Sequence, residues 1–173
     1  ILFVKCLNAG QICTTVDHAW LPAAKIDAFV QAAKAIVPRH FPSLASPDYT
    51  SIIDQRSFDR LVAALDEARE RGATLVPLLP GPAFDAATRK IAPHIVLNAP
   101  DDSLLMQREI FGPILPLRGY TSLETVIAAI NATGFGLTFG LHTRIDDRVQ
   151  TVVESVRAGN IYVNRNQIGA VVG

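Results

Sequence analysis

Patterns typical of helices and of strands alternate along this chain of 173 residues, and this alternation limits its possible folds more than any other feature. Apolar residues recur at intervals of three and four through 26–37 and 58–68, as they do on amphipathic helices. Short apolar runs at 74–79, 95–97 and 114–117 have the length of buried strands. Strands that alternate with helices favour a largely parallel twisted sheet with helices on both faces. The predicted fold class is therefore α/β.

Proline and glycine residues predict where the first of these elements end. Asp17 to Pro22 is predicted to be a strand, and Pro22 suits the first turn of the helix that follows. Pro38 is predicted to stop that helix before an irregular loop. Gly72 is predicted to close the second helix, because glycine readily adopts the left-handed conformation found just past a helix end.

The last third of the chain continues the alternation. Thr121 to Glu124 has the spacing of a capping box, which predicts the start of a third helix. A strand over 137–143, a fourth helix over 146–157 and a strand over 161–163 are predicted next, with Gly159 as the stop of the fourth helix. The valines predicted to face inward from that helix are Val149, Val152, Val153 and Val156.

Length and charge restrict the class of partner. A chain of this length that is 49% hydrophobic can bury one sizeable core, so one globular domain is expected. Sixteen basic residues balance sixteen acidic ones, which leaves no electrostatic footprint for nucleic acid or an anionic membrane. No apolar run reaches the roughly 18 to 20 residues of a membrane span. A small neutral molecule is the expected substrate, with no nucleic acid and no membrane as a partner.

The cysteines and histidines indicate neither a disulfide framework nor a metal centre. Two cysteines without a C-x-x-C pattern favour a reducing, cytoplasmic location, and Cys6 is interpreted as a small core residue. The histidines are scattered without the spacing of ligands, so no metal site is expected. The glycine cluster at 134–136 precedes a strand and is interpreted as a turn, not as a dinucleotide-binding loop.

Two short motifs lie about a hundred residues apart. The sequence NAGQIC runs from Asn8 to Cys13, and EIFGP runs from Glu109 to Pro113. Either motif alone can occur in unrelated sequences by chance. Both motifs in this order and at this spacing are seldom found together by chance. Together they resemble the aldehyde dehydrogenase superfamily. The resemblance covers nearly the whole chain and implies the catalytic domain of that family's fold.

The resemblance implies roles for particular residues. In the family, Cys13 is the nucleophile, Glu109 holds the nicotinamide ribose of NAD or NADP, and Phe111 packs beside the nicotinamide. Asn8 and Gln11 belong to the nucleophile motif and are expected in supporting or substrate-facing positions. Asn164 closes the segment GNIYVN, which resembles a family strand whose asparagine supports the catalytic loop. A lone cysteine or glutamate outside such motifs would be interpreted as a core residue or a solvated charge.

The implied reaction is oxidation of an aldehyde to a carboxylic acid. A thiolate adds to the carbonyl carbon to give a thiohemiacetal and later leaves readily from a thioester, so a soft nucleophile such as Cys13 suits both steps. The backbone N–H of Cys13 is expected to stabilise the oxyanion that forms on addition. A small-molecule aldehyde is therefore the expected partner.

The parts of the family that this sequence lacks predict a fragment. The general-base glutamate, the side-chain oxyanion donor and the nucleotide-binding domain precede the nucleophile motif in the family, so residues 1–173 are expected to form a catalytic-domain fragment of a longer enzyme, itself expected to be a homo-oligomer. The isolated fragment is not expected to turn over aldehyde. The alternative is a noncatalytic structural or oligomerisation module, and the mass of the intact source protein would discriminate between the two.

Different segments resemble different branches of the family. Residues 8–22, 47–52 and 84–90 resemble coniferyl-aldehyde dehydrogenases, which oxidise aromatic aldehydes. Residues 134–146 and 159–173 resemble the glutamate-semialdehyde dehydrogenase domain of bifunctional proline-utilisation enzymes. An aromatic aldehyde needs an apolar funnel, whereas glutamate semialdehyde needs polar anchors for its charged groups. Both substrates stay open at the level of sequence.

Overall fold

Helices and strands alternate through the computed structural model, which describes residues 1–134 and 136–171. Phe135, Val172 and Gly173, which belong to the predicted glycine turn and to the C-terminal segment of resemblance, lie outside the described residues. The helices are α1 Leu2–Cys6, α2 Ile26–His40, α3 Gln55–Glu70, α4 Leu104–Gln107, α5 Leu123–Ala132 and α6 Asp146–Ser155. The strands are β1 Ala19–Pro22, β2 Thr74–Pro77, β3 Phe84–Asp85, β4 Lys90–Ile91, β5 His94–Leu97, β6 Ile114–Tyr120, β7 Gly136–Leu141 and β8 Ala158–Val163.

Four of these strands form the main sheet, in the order β1-β6-β5-β2. Strand β6 pairs in parallel with both β1 and β5, so that Leu117 lies opposite Ala19 on one side and Leu97 on the other. Strand β2 pairs antiparallel with β5 at the far edge. Strands β7 and β8 form a separate parallel pair, and β3 and β4 form a short antiparallel hairpin. The predicted α/β class with a largely parallel sheet is confirmed.

Both faces of the main sheet are covered where β6 begins. Successive residues of a strand point to opposite faces, and the first four residues of β6 are all buried. The amphipathic pattern of α2 and α3 supplies much of the core that surrounds the sheet. The buried residues of these two helices are Val30, Ala33, Val37, Phe58, Leu61, Ala64, Leu65 and Ala68.

The first three predicted element ends have different outcomes. Pro22 ends β1, an edge strand in which a missing N–H is tolerated, and is also the N-cap residue of the 3-10 turn Ala23–Lys25 that leads into α2, so the predicted strand that ends where a helix begins is confirmed. Pro38 lies inside α2, which continues to His40, and in this last turn the proline removes only one backbone hydrogen bond. The prediction for Gly72 is confirmed: its φ is +91°, and the Ala73 N–H donates to the Ala68 carbonyl across the helix end at 2.9 Å.

Four further expectations are corrected by tertiary pairing. A strand forms at the predicted place, but β2 is shorter than 74–79 and is half exposed at an edge of the sheet, so the predicted burial is wrong. Ser122, not Thr121, caps α5, since its hydroxyl accepts from the Thr125 N–H at 3.3 Å. Gly159 lies inside β8 because α6 already ends at Ser155, and Val153 is 46% exposed.

No helix among the described residues is long and apolar enough to cross a membrane.

Candidate active site

The nucleophile motif begins with a run of left-handed backbone. Asn8, Ala9 and Gly10 have φ angles of 50°, 51° and 73° in a short 3-10 turn, Leu7–Gly10, that follows α1. Asparagine and glycine tolerate this conformation, whereas the fully buried Ala9 is held in it at a cost in backbone energy. The Gln11 N–H donates to the Asn8 carbonyl at 3.1 Å, and the Asn8 amide donates to the Gln11 carbonyl at 3.2 Å. The turn is therefore closed from both ends.

Gln11 connects this turn to a distant loop. Its side-chain Nε2 donates to the carbonyls of Asn8 and Ser51, each at 3.1 Å. Its Oε1 accepts from the Ile53 N–H at 2.9 Å. The amide thus uses both its donor and its acceptor atoms, and it fixes the start of the nucleophile loop against residues 51–53. Asn8 and Gln11 hold the backbone ahead of Cys13 together, and their expected role, supporting or substrate-facing, stays a prediction.

Cys13 lies on the outside of the turn that follows. The Thr15 N–H donates to the Ile12 carbonyl at 2.9 Å, and the Thr15 hydroxyl donates to the Val4 carbonyl of α1 at 3.2 Å. Cys13 is a free, exposed thiol, whereas Cys6 is a free thiol with only 6% exposure. Burial raises the pKa of Cys6 to about 11, so that thiol stays protonated and unreactive at neutral pH. The interpretation of Cys6 as a core residue is confirmed.

The second motif presents two exposed side chains on either side of a buried one. Glu109 is exposed and Phe111 is 38% exposed, with a φ of 48°, whereas Ile110 is 1% exposed. The Ile110 N–H donates to Asp17 Oδ1 at 2.9 Å, and the Ile110 carbonyl accepts from Arg60 at 2.6 Å. Anchoring of Ile110 on both sides turns the glutamate and the aromatic ring outward.

The two motifs meet at their glycines. A Cβ atom on Gly10 would lie 2.6 Å from the carbonyl carbon of Gly112 and closer still to its oxygen. A Cβ atom on Gly112 would lie 2.6 Å from a methyl group of Leu61. Gly10 has no room for a side chain because the backbone of the second motif lies against it, and Gly112 has none because the Leu61 side chain of α3 lies against it. The hydrogen bond between Asp17 and Ile110 is a second link between the same two parts of the chain.

A buried lysine lies at the base of the nucleophile loop. Lys5 in α1 is 1% exposed, and among the described residues its Nζ has no hydrogen-bond partner. Burial lowers the pKa of Lys5 from its usual 10.5 to about 8, although the nearby Asp17, Cys6 and Glu109 act in the opposite direction. The lysine is thus a buried cation whose charge costs folding free energy.

This cost predicts an alkaline gain in stability. Below about pH 8 Lys5 is protonated in both states and the cost is complete, whereas at higher pH the folded chain loses its proton before the unfolded chain does. The contribution of Lys5 to the free energy of unfolding should therefore rise by about 2 kcal/mol between about pH 8 and about pH 10. Urea denaturation of the wild type and of Lys5→Met across this range measures the effect as the change in their difference.

The comparison with Lys5→Met also removes an opposing contribution. Because the pKa of Cys6 is raised in the folded chain, its thiol lowers the free energy of unfolding as the pH rises toward 11 in both proteins, and most of this loss cancels in the difference although the charge of Lys5 lowers the pKa of Cys6. Lys34→Met on the exposed side of α2 is the matched control and should show no such change. A difference between wild type and Lys5→Met that does not depend on pH would contradict the assignment.

Asn164 belongs to a different part of the structure. It follows β8 with a φ of 55°, its N–H donates to the Leu141 carbonyl, and its amide pairs with the backbone of Thr143 at 2.8 and 2.9 Å. These bonds join the ends of β7 and β8 and do not reach the nucleophile loop. Support of the catalytic loop by Asn164 therefore stays a prediction. Within residues 1–134 and 136–171, no cluster of three His, Cys, Asp or Glu residues could hold a metal ion.

Comparison with known proteins agrees with this arrangement. Residues 1–173 match the model of the aldehyde dehydrogenase family. The chain belongs to the aldehyde dehydrogenase family. It is 38% identical over 166 residues to a probable coniferyl aldehyde dehydrogenase of Caulobacter vibrioides, in a match that covers 92% of this chain and 34% of that protein. It is 34% identical over 172 residues to the bifunctional protein PutA of Rhizobium meliloti, covering 96% and 14%.

Solved aldehyde dehydrogenase structures share the fold. A substrate-bound structure of Staphylococcus aureus AldH matches with a TM-score of 0.88 at 28% identity, covering 96% of this chain and 36% of that one. A 3,6-anhydro-L-galactose dehydrogenase in complex with NAP matches with a TM-score of 0.78 at 25% identity, covering 95% and 36%. The chain therefore spans about a third of the length of the coniferyl aldehyde dehydrogenase and of these two structures.

Three polar residues of this site have no counterpart among the residues that sequence reasoning selected. Arg60 and Asp17 hold Ile110, and Lys5 lies buried beside the loop. Lys5 could have been singled out from the sequence, because it lies inside the apolar run from Ile1 to Cys6 and lysine is rarely buried without a partner. Asp17 and Arg60 gave no signal, since their contacts lie 93 and 50 positions away along the chain.

Proposed function

We propose that this chain carries the nucleophile and part of the cofactor site of a longer enzyme that oxidises an aldehyde to a carboxylic acid with NAD or NADP. The observation that carries the proposal is the direct contact between the two motifs, at Gly10 against Gly112 and at Asp17 against Ile110. This contact presents an exposed thiol and an exposed carboxylate with an adjacent aromatic ring on one assembly of loops. Membership of the aldehyde dehydrogenase family supports the same reaction.

Cys13 has the access and the surroundings that covalent catalysis needs. Its exposed sulfur attacks the carbonyl carbon as a thiolate, a C–S bond forms, and the carbonyl electron pair moves to the oxygen. Among the backbone hydrogen bonds of the described residues, none uses the Cys13 N–H, which leaves this donor free for the oxyanion. After oxidation, the thiolate leaves from the thioester as water adds and the acid departs.

Glu109 and Phe111 fit a nicotinamide cofactor. An exposed carboxylate can accept both ribose hydroxyls, and a half-exposed aromatic ring offers an apolar face for the nicotinamide. When bound, the oxidised nicotinamide supplies the hydride acceptor for the reaction. The NAP complex of 3,6-anhydro-L-galactose dehydrogenase supports this class of cofactor.

Other roles belong to the rest of the proposed enzyme. The general base, the side-chain oxyanion donor and the nucleotide-binding domain are assigned to additional chain, because these residues span about a third of the length of the coniferyl relative. Residues 1–173 are then the catalytic, cysteine-bearing domain. Homo-oligomeric assembly and a cytoplasmic location, both expected from the sequence, are part of the same proposal.

An aromatic aldehyde of the coniferyl type is the first candidate substrate. The 38% identity with the Caulobacter coniferyl aldehyde dehydrogenase supports it, and the resemblance of residues 159–173 to glutamate-semialdehyde dehydrogenases supports the second candidate. The full-length polypeptide that contains this chain should be incubated with each aldehyde and with NAD or NADP. Formation of reduced cofactor and of an equal amount of the acid supports the proposal. If neither aldehyde yields reduced cofactor, the substrate assignment is overturned.

Loss of the charge on Glu109 should slow the hydride step. Glu109→Gln keeps the size of the side chain but replaces charge-assisted hydrogen bonds to the ribose with neutral ones, a change worth about 1.5 to 3 kcal/mol. The rate of hydride transfer in a single turnover should fall by roughly 10- to 150-fold. Stopped-flow absorbance of the reduced cofactor measures it.

Glu70→Gln at the exposed end of α3 is the matched control and should leave the rate unchanged. Cys13 should be alkylated at the wild-type rate in both variants, since Glu109 acts on the cofactor. A wild-type rate of hydride transfer in Glu109→Gln would rule out the role in cofactor binding.

A further inference from the structure

Phe111 has the backbone conformation that most needs support in the second motif. Its φ of 48° lies in the left-handed region, which a bulky residue seldom adopts because its Cβ atom crowds the backbone. Residues in this region cluster at functional sites and keep their conformation only where their surroundings fix it. The contacts on either side of Phe111 therefore decide whether its ring keeps its direction.

The two peptide groups that flank Ile110 are each held by a side chain from a different part of the chain. The Ile110 N–H belongs to the peptide group shared with Glu109, and Asp17 Oδ1 accepts from it at 2.9 Å. The Ile110 carbonyl belongs to the peptide group shared with Phe111, and the Arg60 guanidinium donates to it at 2.6 Å. Because a peptide group is planar, Arg60 thereby fixes the plane from which the φ rotation of Phe111 is made.

Arg60 serves this carbonyl instead of a carboxylate. It is a half-buried residue of α3, and no ion pair among the described residues includes it. A hydrogen bond from a charged donor is stronger than one from a neutral donor. The next residue of the helix, Leu61, is fully buried, and its methyl groups fill the space that a side chain on Gly112 would need. Helix α3 thus contacts the residues on both sides of Phe111.

We propose that Arg60 is a positioning residue that holds Phe111 in its left-handed conformation, so that the aromatic ring is available to the nicotinamide during hydride transfer. The hydrogen bond from Arg60 fixes the peptide group before the ring, and Leu61 packs against the residue after it. The kinetic consequence rests on the proposed dehydrogenase function. The contact between Arg60 and the Ile110 carbonyl does not depend on that function.

The first test measures single-turnover hydride transfer in variants of the full-length polypeptide. Arg60→Met should slow this step at least tenfold because the ring loses its fixed direction, while alkylation of Cys13 stays within twofold of the wild-type rate. Arg60→Lys keeps a charged donor on a long side chain and should recover most of the hydride rate. Arg56→Met, at an exposed position in the first turn of the same helix, is the matched control and should leave both rates unchanged.

The double variant of Arg60→Met with Phe111→Ala tests whether the arginine acts through the ring. If it does, the double variant should stay within twofold of the slower single variant, because the ring can be lost only once. Losses that multiply in the double variant overturn the proposal. A lower Tm in Arg60→Met with an unchanged hydride rate per folded molecule also overturns it, since that result indicates a merely structural role.

Crystal structures of the variants separate this inference from the proposed function. If the wild type reduces no cofactor, the proposed function fails, and the φ angle of Phe111 then decides the inference alone. This angle should leave the left-handed region in Arg60→Met and stay in it in Arg60→Lys. A φ that remains near 48° in Arg60→Met overturns the inference. Arg60→Gln, with a shorter neutral side chain, replaces Arg60→Met under the same criteria if the methionine prevents folding.

Discussion

Cys13→Ser is expected to abolish aldehyde oxidation while the fold stays intact. A serine hydroxyl remains protonated at neutral pH, and an ester releases its alcohol less readily than a thioester releases its thiol, so both halves of the reaction are affected. Loss of a covalent nucleophile typically lowers kcat on the order of 10⁴-fold or more. Because Cys13 is exposed on a turn, the change of sulfur to oxygen removes little packing.

The experiment measures reduced cofactor in the steady state, with circular dichroism as a check on the fold. Cys6→Ala is the matched control, because Cys6 lies in the core and alanine avoids placing a hydroxyl there without a partner. It should keep most of the activity at a modest cost in stability. If Cys6→Ala were the inactive variant and Cys13→Ser the active one, the nucleophile would have been assigned wrongly.

Gly10→Ala is expected to lower the free energy of unfolding strongly. A φ of +73° costs a non-glycine residue about 1 kcal/mol, and the added methyl group would overlap the carbonyl of Gly112. That neighbour is backbone two residues ahead of β6, so it cannot rotate away as a side chain could. We expect a total loss of about 2 to 4 kcal/mol in the free energy of unfolding measured by urea denaturation, since overpacking adds roughly 1 to 3 kcal/mol to the backbone cost.

Gly81→Ala separates the two causes of this loss. Gly81 has a φ of +93° and no atom within 4 Å of the position of an added Cβ, so it should show only the backbone term of about 1 kcal/mol. Equal losses at Gly10 and Gly81 would mean that the two motifs are not in contact. The Gly10 variant should also react more slowly in hydride transfer, because any relief of the overlap moves Gly112 and the attached Phe111.

The sequence predicted the parts of the fold that depend on local periodicity. The apolar spacing located α2, α3, β5 and β6, since those residues form the core in any packing of the chain. It was wrong at Pro38 and Gly159, where strand pairing or the position of the residue within its element decided the outcome. The exposed edge of β2 likewise depends on the order of strands in the sheet, which periodicity does not encode.

The site shows the same division between local and distant causes. The motifs predicted Cys13, Glu109 and Phe111, and the structure brings their segments into contact. The residues that hold them are fixed by partners far along the chain, such as Asp17 at Ile110 and Gln11 at Ser51. The burial of Lys5 and the lowered pKa of Asp17 follow only once α1, the nucleophile loop and the segment before β6 are packed together.

The parallel pairing of β1 with β6 has a mechanical consequence. The Cys13 loop leads into β1 and the Glu109 segment leads into β6. Because these strands are parallel, both segments enter the sheet at the same end of the strands and continue as hydrogen-bonded neighbours. Neither loop can shift along the strand direction unless the other follows or the ladder breaks. The Cys13 thiol and the Glu109 carboxylate are therefore expected to move together, because the loops that bear them run into hydrogen-bonded neighbouring strands.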